Sequence, residues 1–154
     1  MRLRLLAFFL VLAGLLASPA TAAGPGGAIM ATVNGAIAAA NADSAAGVNA
    51  YFTPSSSVVD EFAPYHWSGP SAAAAWWTAL DRMDVATHTV HLHATVQTIT
   101  QFHVTGNLAY VVVPMSITFT ARGKPGHEMG LWALTMRRTG STWRIATAAW
   151  ATLK

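Results

Sequence analysis

The sequence predicts an α+β domain, three N-terminal helices packed on one face of a strongly curved antiparallel sheet. Three observations predict it. Residues 29–40, 44–52 and 71–83 hold apolar side chains at helical spacing, and residues 88–152 are long runs rich in Val, Thr, Ile and aromatic residues. Short glycine turns separate those runs. Helices first and a strand meander second is the pattern of a sheet covered on one side.

The first helix is expected from Ile29 to Ala40, with Ile29, Val33 and Ile37 on one stripe and alanine, the strongest helix former, between them. Asn41 stops it. Asp43-Ser44 supplies an N-cap for a short second helix, Ser44 to Phe52, carrying Val48, Tyr51 and Phe52 until Thr53-Pro54-Ser55 ends it. Val58-Val59 begins a short extended stretch, and a loop rich in Pro and Gly follows from Phe62 to Pro70. The third helix runs from Ser71 to Met83, with Ala72, Trp76 and Leu80 on one stripe and Asp81, Arg82 and Asp84 at its wet end. Four strands follow: His88–Val104, Leu108–Ala121, His127–Arg138 and Thr142–Thr152. Turns at Thr105-Gly106-Asn107 and Thr139-Gly140-Ser141, and a loop over Arg122–Gly126, make them an antiparallel meander. Long strands on a curled sheet carry bulges, so the alternation of side chains along them is a soft guide.

Ahead of these elements, Arg2 and Arg4 precede a continuous apolar run from Leu5 to Ala17, then Pro19 and the small-x-small site Ala20-Thr21-Ala22. That order is a cleavable secretory signal over residues 1–22, followed by a flexible lead over 23–28 and one domain over 29–154. An uncleaved anchor is the alternative, but the run is short of the about 20 apolar residues that span a bilayer. The domain is thus expected in the periplasm or outside the cell, with no stable membrane insertion after cleavage. Without Arg2 and Arg4 the formal charge falls from +3 to +1, which removes the global argument for nucleic-acid binding. About 130 residues suffice for one core. With no cysteine, disulfides, thiolate metal ligands and cysteine nucleophiles are excluded.

Two stretches carry a family resemblance: Val58 to Trp77, with Gly69 introducing the third helix, and the closing run with Trp143-Arg144-Ile145 and Trp150. Together with the element order they resemble the SnoaL-like branch of the nuclear transport factor 2-like superfamily, which includes ketosteroid isomerase. The resemblance implies a cone in which the sheet wraps the helices around a pocket, and a homodimer formed through the sheet. Members include isomerases, cyclases, dehydratases and non-enzymatic binding domains, so the fold does not decide function.

Asp60 falls where, by the resemblance, the isomerase carries its general base. A carboxylate near Val58, Val59, Phe62 and Trp67 has the apolar setting that raises a pKa and suits proton transfer beside a carbonyl. A solvent-facing or helix-capping acid is the other reading. The isomerase's oxyanion-hole partners are missing: their positions fall near Ala36 or Ile37 and near Leu134 or Thr135, which argues against steroid isomerisation by that route. Imidazole is the side chain best suited to proton transfer near neutral pH, which makes His66 the candidate to assist Asp60. Tyr51, Tyr65 and Trp67 are candidate donors or pocket walls, His88 a residue of the pocket mouth, and Trp132 and Trp150 aromatic walls for an apolar ligand. Trp76, Trp77 and Trp143 are read as core. His91, His93 and His103 share the polar face of their strand, so solvent or a dimer contact is expected there rather than a metal site. No phosphate loop, nucleophile elbow or carboxylate pair is present, and no cofactor is expected. Three readings follow: a binder of a small apolar molecule, a cofactor-independent isomerase or lyase using Asp60, or a non-catalytic dimeric interaction domain.

Overall fold

The structure is a computed structural model and describes residues 25–99 and 101–153. The expected signal segment lies outside these residues. The chain forms α1 (Pro25–Asn41), α2 (Ala45–Asn49), β1 (Phe52–Val59), β2 (His66–Pro70), α3 (Ala72–Thr87), β3 (Thr89–Val96), β4 (Gln101–Thr105), β5 (Leu108–Ala121), β6 (Lys124–Thr139) and β7 (Thr142–Leu153). No described helix is long and apolar enough to cross a membrane.

Sheet order is β2-β1-β7-β6-β5-β3, with β4 also on β5. Neighbours are antiparallel except β1 and β7, which run parallel. The expectation of an antiparallel sheet behind three N-terminal helices is corrected in two respects: β1 joins β7 in parallel, and the short extended stretch expected at Val58-Val59 is a full β1–β2 hairpin between α2 and α3. β1 reads poorly as a strand because it contains Pro54 and three serines. Its ladder to β7 slips between Phe52 and Ser57, and that irregular stretch accommodates the proline's missing N–H.

The predicted stripe of α1 is the buried one, with Ile29 and Val33 fully enclosed beside Ala36 and Ile37. Ser44 caps α2 as predicted, its hydroxyl accepting from the Gly47 N–H at 3.1 Å. The helix ends at Asn49, earlier than expected, because Tyr51 and Phe52 are drawn onto β7: the Ile145 N–H donates to the Tyr51 carbonyl. α3 continues past Met83 to Thr87, ending where His88 turns left-handed (φ 55°).

The expected strand His88–Val104 is two strands, β3 and β4. Within β3 a register shift between Val90 and His93, with His91 at φ 58°, inverts the alternation. Thr89 thus turns to the interior and Val90 is exposed. β3 ends the sheet on this path, and the Asn41 side chain covers it by bonding both the N–H and the carbonyl of Ala94 (2.8 and 2.9 Å). The expected five-residue loop after β5 is a two-residue turn, Arg122-Gly123, both at positive φ as a type I′ hairpin requires. Val111, Val113, Leu134, Met136 and Ile145 form the fully buried sheet side of the core.

Candidate functional site

Between the helices and the concave face of the sheet lies a cavity of about 350 Å³. α1 contributes Ile37 and Ala40, α3 contributes Trp76, Leu80 and Met83, and the sheet contributes Met115, Ile117, Phe119, Trp132 and Trp150. Walls of this kind, interrupted by few polar groups, are the ordinary construction of a small-molecule site.

The polar groups form two sets. In the first, Asp60 follows directly on β1 and is 9% exposed. Its carboxylate accepts from the Trp76 indole N–H and from the Glu61 backbone N–H, both at 2.7 Å. Burial raises the Asp60 pKa; the two hydrogen bonds oppose the rise and the charges of Glu61 and Glu128 reinforce it. Glu128 Oε1 accepts from the Trp150 indole N–H at 3.0 Å and from the Thr152 hydroxyl at 2.8 Å, and that hydroxyl also lies 2.7 Å from Glu61 Oε1. In the second set, Asp84 lines the cavity with Asn41, Thr87 and Thr89. Burial, then the charges of Asp81 and Asp43, push its pKa up to about 6.

Of the residues singled out from sequence, Asp60, Trp132 and Trp150 line this cavity together. Tyr51, Tyr65, His66, Trp67 and His88 are not among its lining residues. Tyr51 lies against α1, over Gly35, where no larger residue leaves room for its ring. Tyr65 is exposed at φ 69°, and His66 is exposed on β2 with Nε2 3.0 Å from the Ser57 hydroxyl. Trp67 is buried against Phe62, ring centroids 5.2 Å apart, and His88 is exposed at the end of α3. His66, the candidate to assist Asp60, and Tyr51, a candidate donor, thus stand away from the cavity surface.

Sequence reasoning missed Trp76, Glu61, Glu128, Asp84 and Asn41. Glu128 had a signal: it shares the parity of Gly130, Trp132, Leu134 and Met136, the inward face of β6. An acid in that phase faces the interior. Asp84 was read as part of a wet helix end, and α3 runs on far enough to turn it inward.

A curved, unclosed sheet and, among the described residues, three helices with a pocket between them and the sheet are the arrangement of the nuclear transport factor 2-like fold. The sequence model of the SnoaL-like domain matches residues 29–149, and the chain belongs to that family. Solved structures agree in fold. An NTF2-like protein with a cystatin-like fold from Novosphingobium aromaticivorans superposes with TM-score 0.68 at 19% identity, covering 83% of this chain and 81% of that one. A nuclear transport factor 2-like superfamily protein from Salmonella enterica gives 0.68 at 17%, covering 82% and 89%. A ketosteroid isomerase-like protein from Erwinia carotovora atroseptica gives 0.66 at 15%, covering 83% and 95%. No curated protein matches the chain.

Proposed function

We propose that this domain binds a small, largely apolar molecule in the cavity between its helices and sheet, as a homodimer outside the cytoplasm. The observation that carries the reading is the cavity itself: about 350 Å³, walled by Trp, Phe, Met, Leu and Ile side chains, with hydrogen-bonding groups confined to two places. The apolar N-terminal run of residues 5–17 supports the location.

A panel of compact hydrophobic molecules tests it by thermal shift and tryptophan fluorescence. A true ligand at a hundredfold excess over its Kd stabilises the domain by about 2.7 kcal/mol. A panel that leaves both melting temperature and fluorescence unmoved would remove the binding reading.

A second reading, an isomerase or lyase using Asp60 as general base, is favoured by one observation. Asp60 is a buried carboxyl on the cavity wall whose pKa is raised toward the range where a base works. On that reading Asp60→Asn abolishes turnover of a substrate while the folded domain still binds neutral ligands.

A further inference from the structure

Resting on the reading that this cavity binds a small molecule, we propose that it selects a compact hydrophobic amine in its protonated form. The ammonium sits at the Asp60 and Glu128 end, and the apolar skeleton lies against the tryptophans. The cavity is the site, and its charge decides what enters. Four carboxyl groups line it, Asp60, Glu61, Asp84 and Glu128, and no lysine, arginine or histidine is among the lining residues. The charged groups acting on Asp60 are Glu61 and Glu128, and those acting on Asp84 are Asp81 and Asp43, acids in every case. An anionic ligand therefore meets charge of its own sign and no counter-charge, screened less than in water at the buried Asp60 and the half-buried Asp84 and Glu128.

The hydrogen-bond inventory agrees. The Asp60 carboxylate accepts two hydrogen bonds and the Glu128 carboxylate two, all from neutral donors, and a carboxylate has roughly four acceptor positions. An ammonium group brings three donors and the missing positive charge, and charge-assisted bonds of that kind are about twice as strong as neutral ones. The Trp76 and Trp150 indoles are tied to these acids through their own N–H groups, so aromatic rings stand beside the carboxyls. Rings there pack against an apolar skeleton through their area.

Naphthylmethylamine, naphthylmethanol and naphthoic acid share one ring system and differ in charge, and calorimetric titration of the purified protein with each at neutral pH separates the possibilities. The amine is protonated there, as lysine is. It is expected to bind at least about tenfold tighter than the alcohol, with no measurable binding of the acid. Glu128→Gln and Asp60→Asn are each expected to weaken the amine about tenfold and to change the alcohol less than about twofold. The three-ligand comparison on the unaltered protein stands even if a variant fails to fold. Equal affinity of amine and alcohol, or binding of the acid, overturns charge selection and leaves the apolar-binding reading standing. Binding by none of the three overturns both.

Discussion

The Asp60 carboxyl is held between opposing influences, and the balance is adjustable one group at a time. Burial raises its pKa, while the Trp76 and Glu61 N–H groups stabilise the charged form. Trp76→Phe keeps an aromatic ring and deletes one donor, so the pKa climbs further, at a stability cost of about 1–2 kcal/mol. Carboxyl-carbon NMR titration reads the change, with the resonance assigned by its loss in Asp60→Asn; a midpoint that stays put or falls shows that the indole bond does not tune the acid. Asp60 was legible in the sequence because its spacing to Gly69 matched a family pattern. Trp76 was not, because its stripe with Ala72 and Leu80 fits a core position equally well. Helical periodicity says which face a residue occupies and not which atom its N–H meets. His66 was misleading for a related reason: it stands near Asp60 in sequence, but β2 carries it across from Val59 onto an exposed position.

At the scale of elements, β6 makes the cavity floor by leaving side chains out. Gly126 lies under the Phe119 ring of β5 and Gly130 under the Trp150 ring of β7, so each aromatic lies flat across a neighbouring strand. A Cβ at Gly130 would overlap the Trp150 indole, and the backbone beneath leaves that ring as the part that moves. Gly130→Ala is therefore expected to displace Trp150, break its bond to Glu128 and destabilise the domain by about 1–3 kcal/mol. Near-UV circular dichroism and the urea midpoint check it, and an unchanged aromatic spectrum at full stability would show that the ring does not rest on this glycine. Most elements were legible because their signals are local: the α1 stripe, the Ser44 cap, the length of β5. What the sequence hid was set at a distance. β1 is a strand because β7 and β2 pair with it, against its own proline and serines, and the β3 bulge, whose position no local signal marks, reverses the alternation ahead of it.

For the whole molecule, a gap between helix layer and sheet that is lined with acids has a thermodynamic signature. The folded-state pKa of Asp84 is about 6 against an ordinary 3.8, so between those values the folded protein holds a proton that the unfolded chain has lost. Stability then falls as pH rises through that window, the reverse of a domain whose acids are salt-bridged, and the penalty is fully present above about pH 6. Asp60, also raised, acts with the same sign. Asp84 is only partly buried, and solvent screening reduces its share to about 1 kcal/mol, or roughly 3–5 °C in melting temperature. Asp84→Asn removes that charge while nearly keeping size. The variant and the parent are expected to melt together near pH 4, and the variant to melt higher by that margin near pH 8. Parallel melting curves across the range would mean that Asp84 is solvated like a surface acid, and the second acidic set would then be no part of the cavity's electrostatics. A margin that grows with pH shows instead that the fold tolerates a partly desolvated charge at the cost of its own stability. Such a charge is the expected mark of a group kept for what it meets in the cavity rather than for holding the chain together.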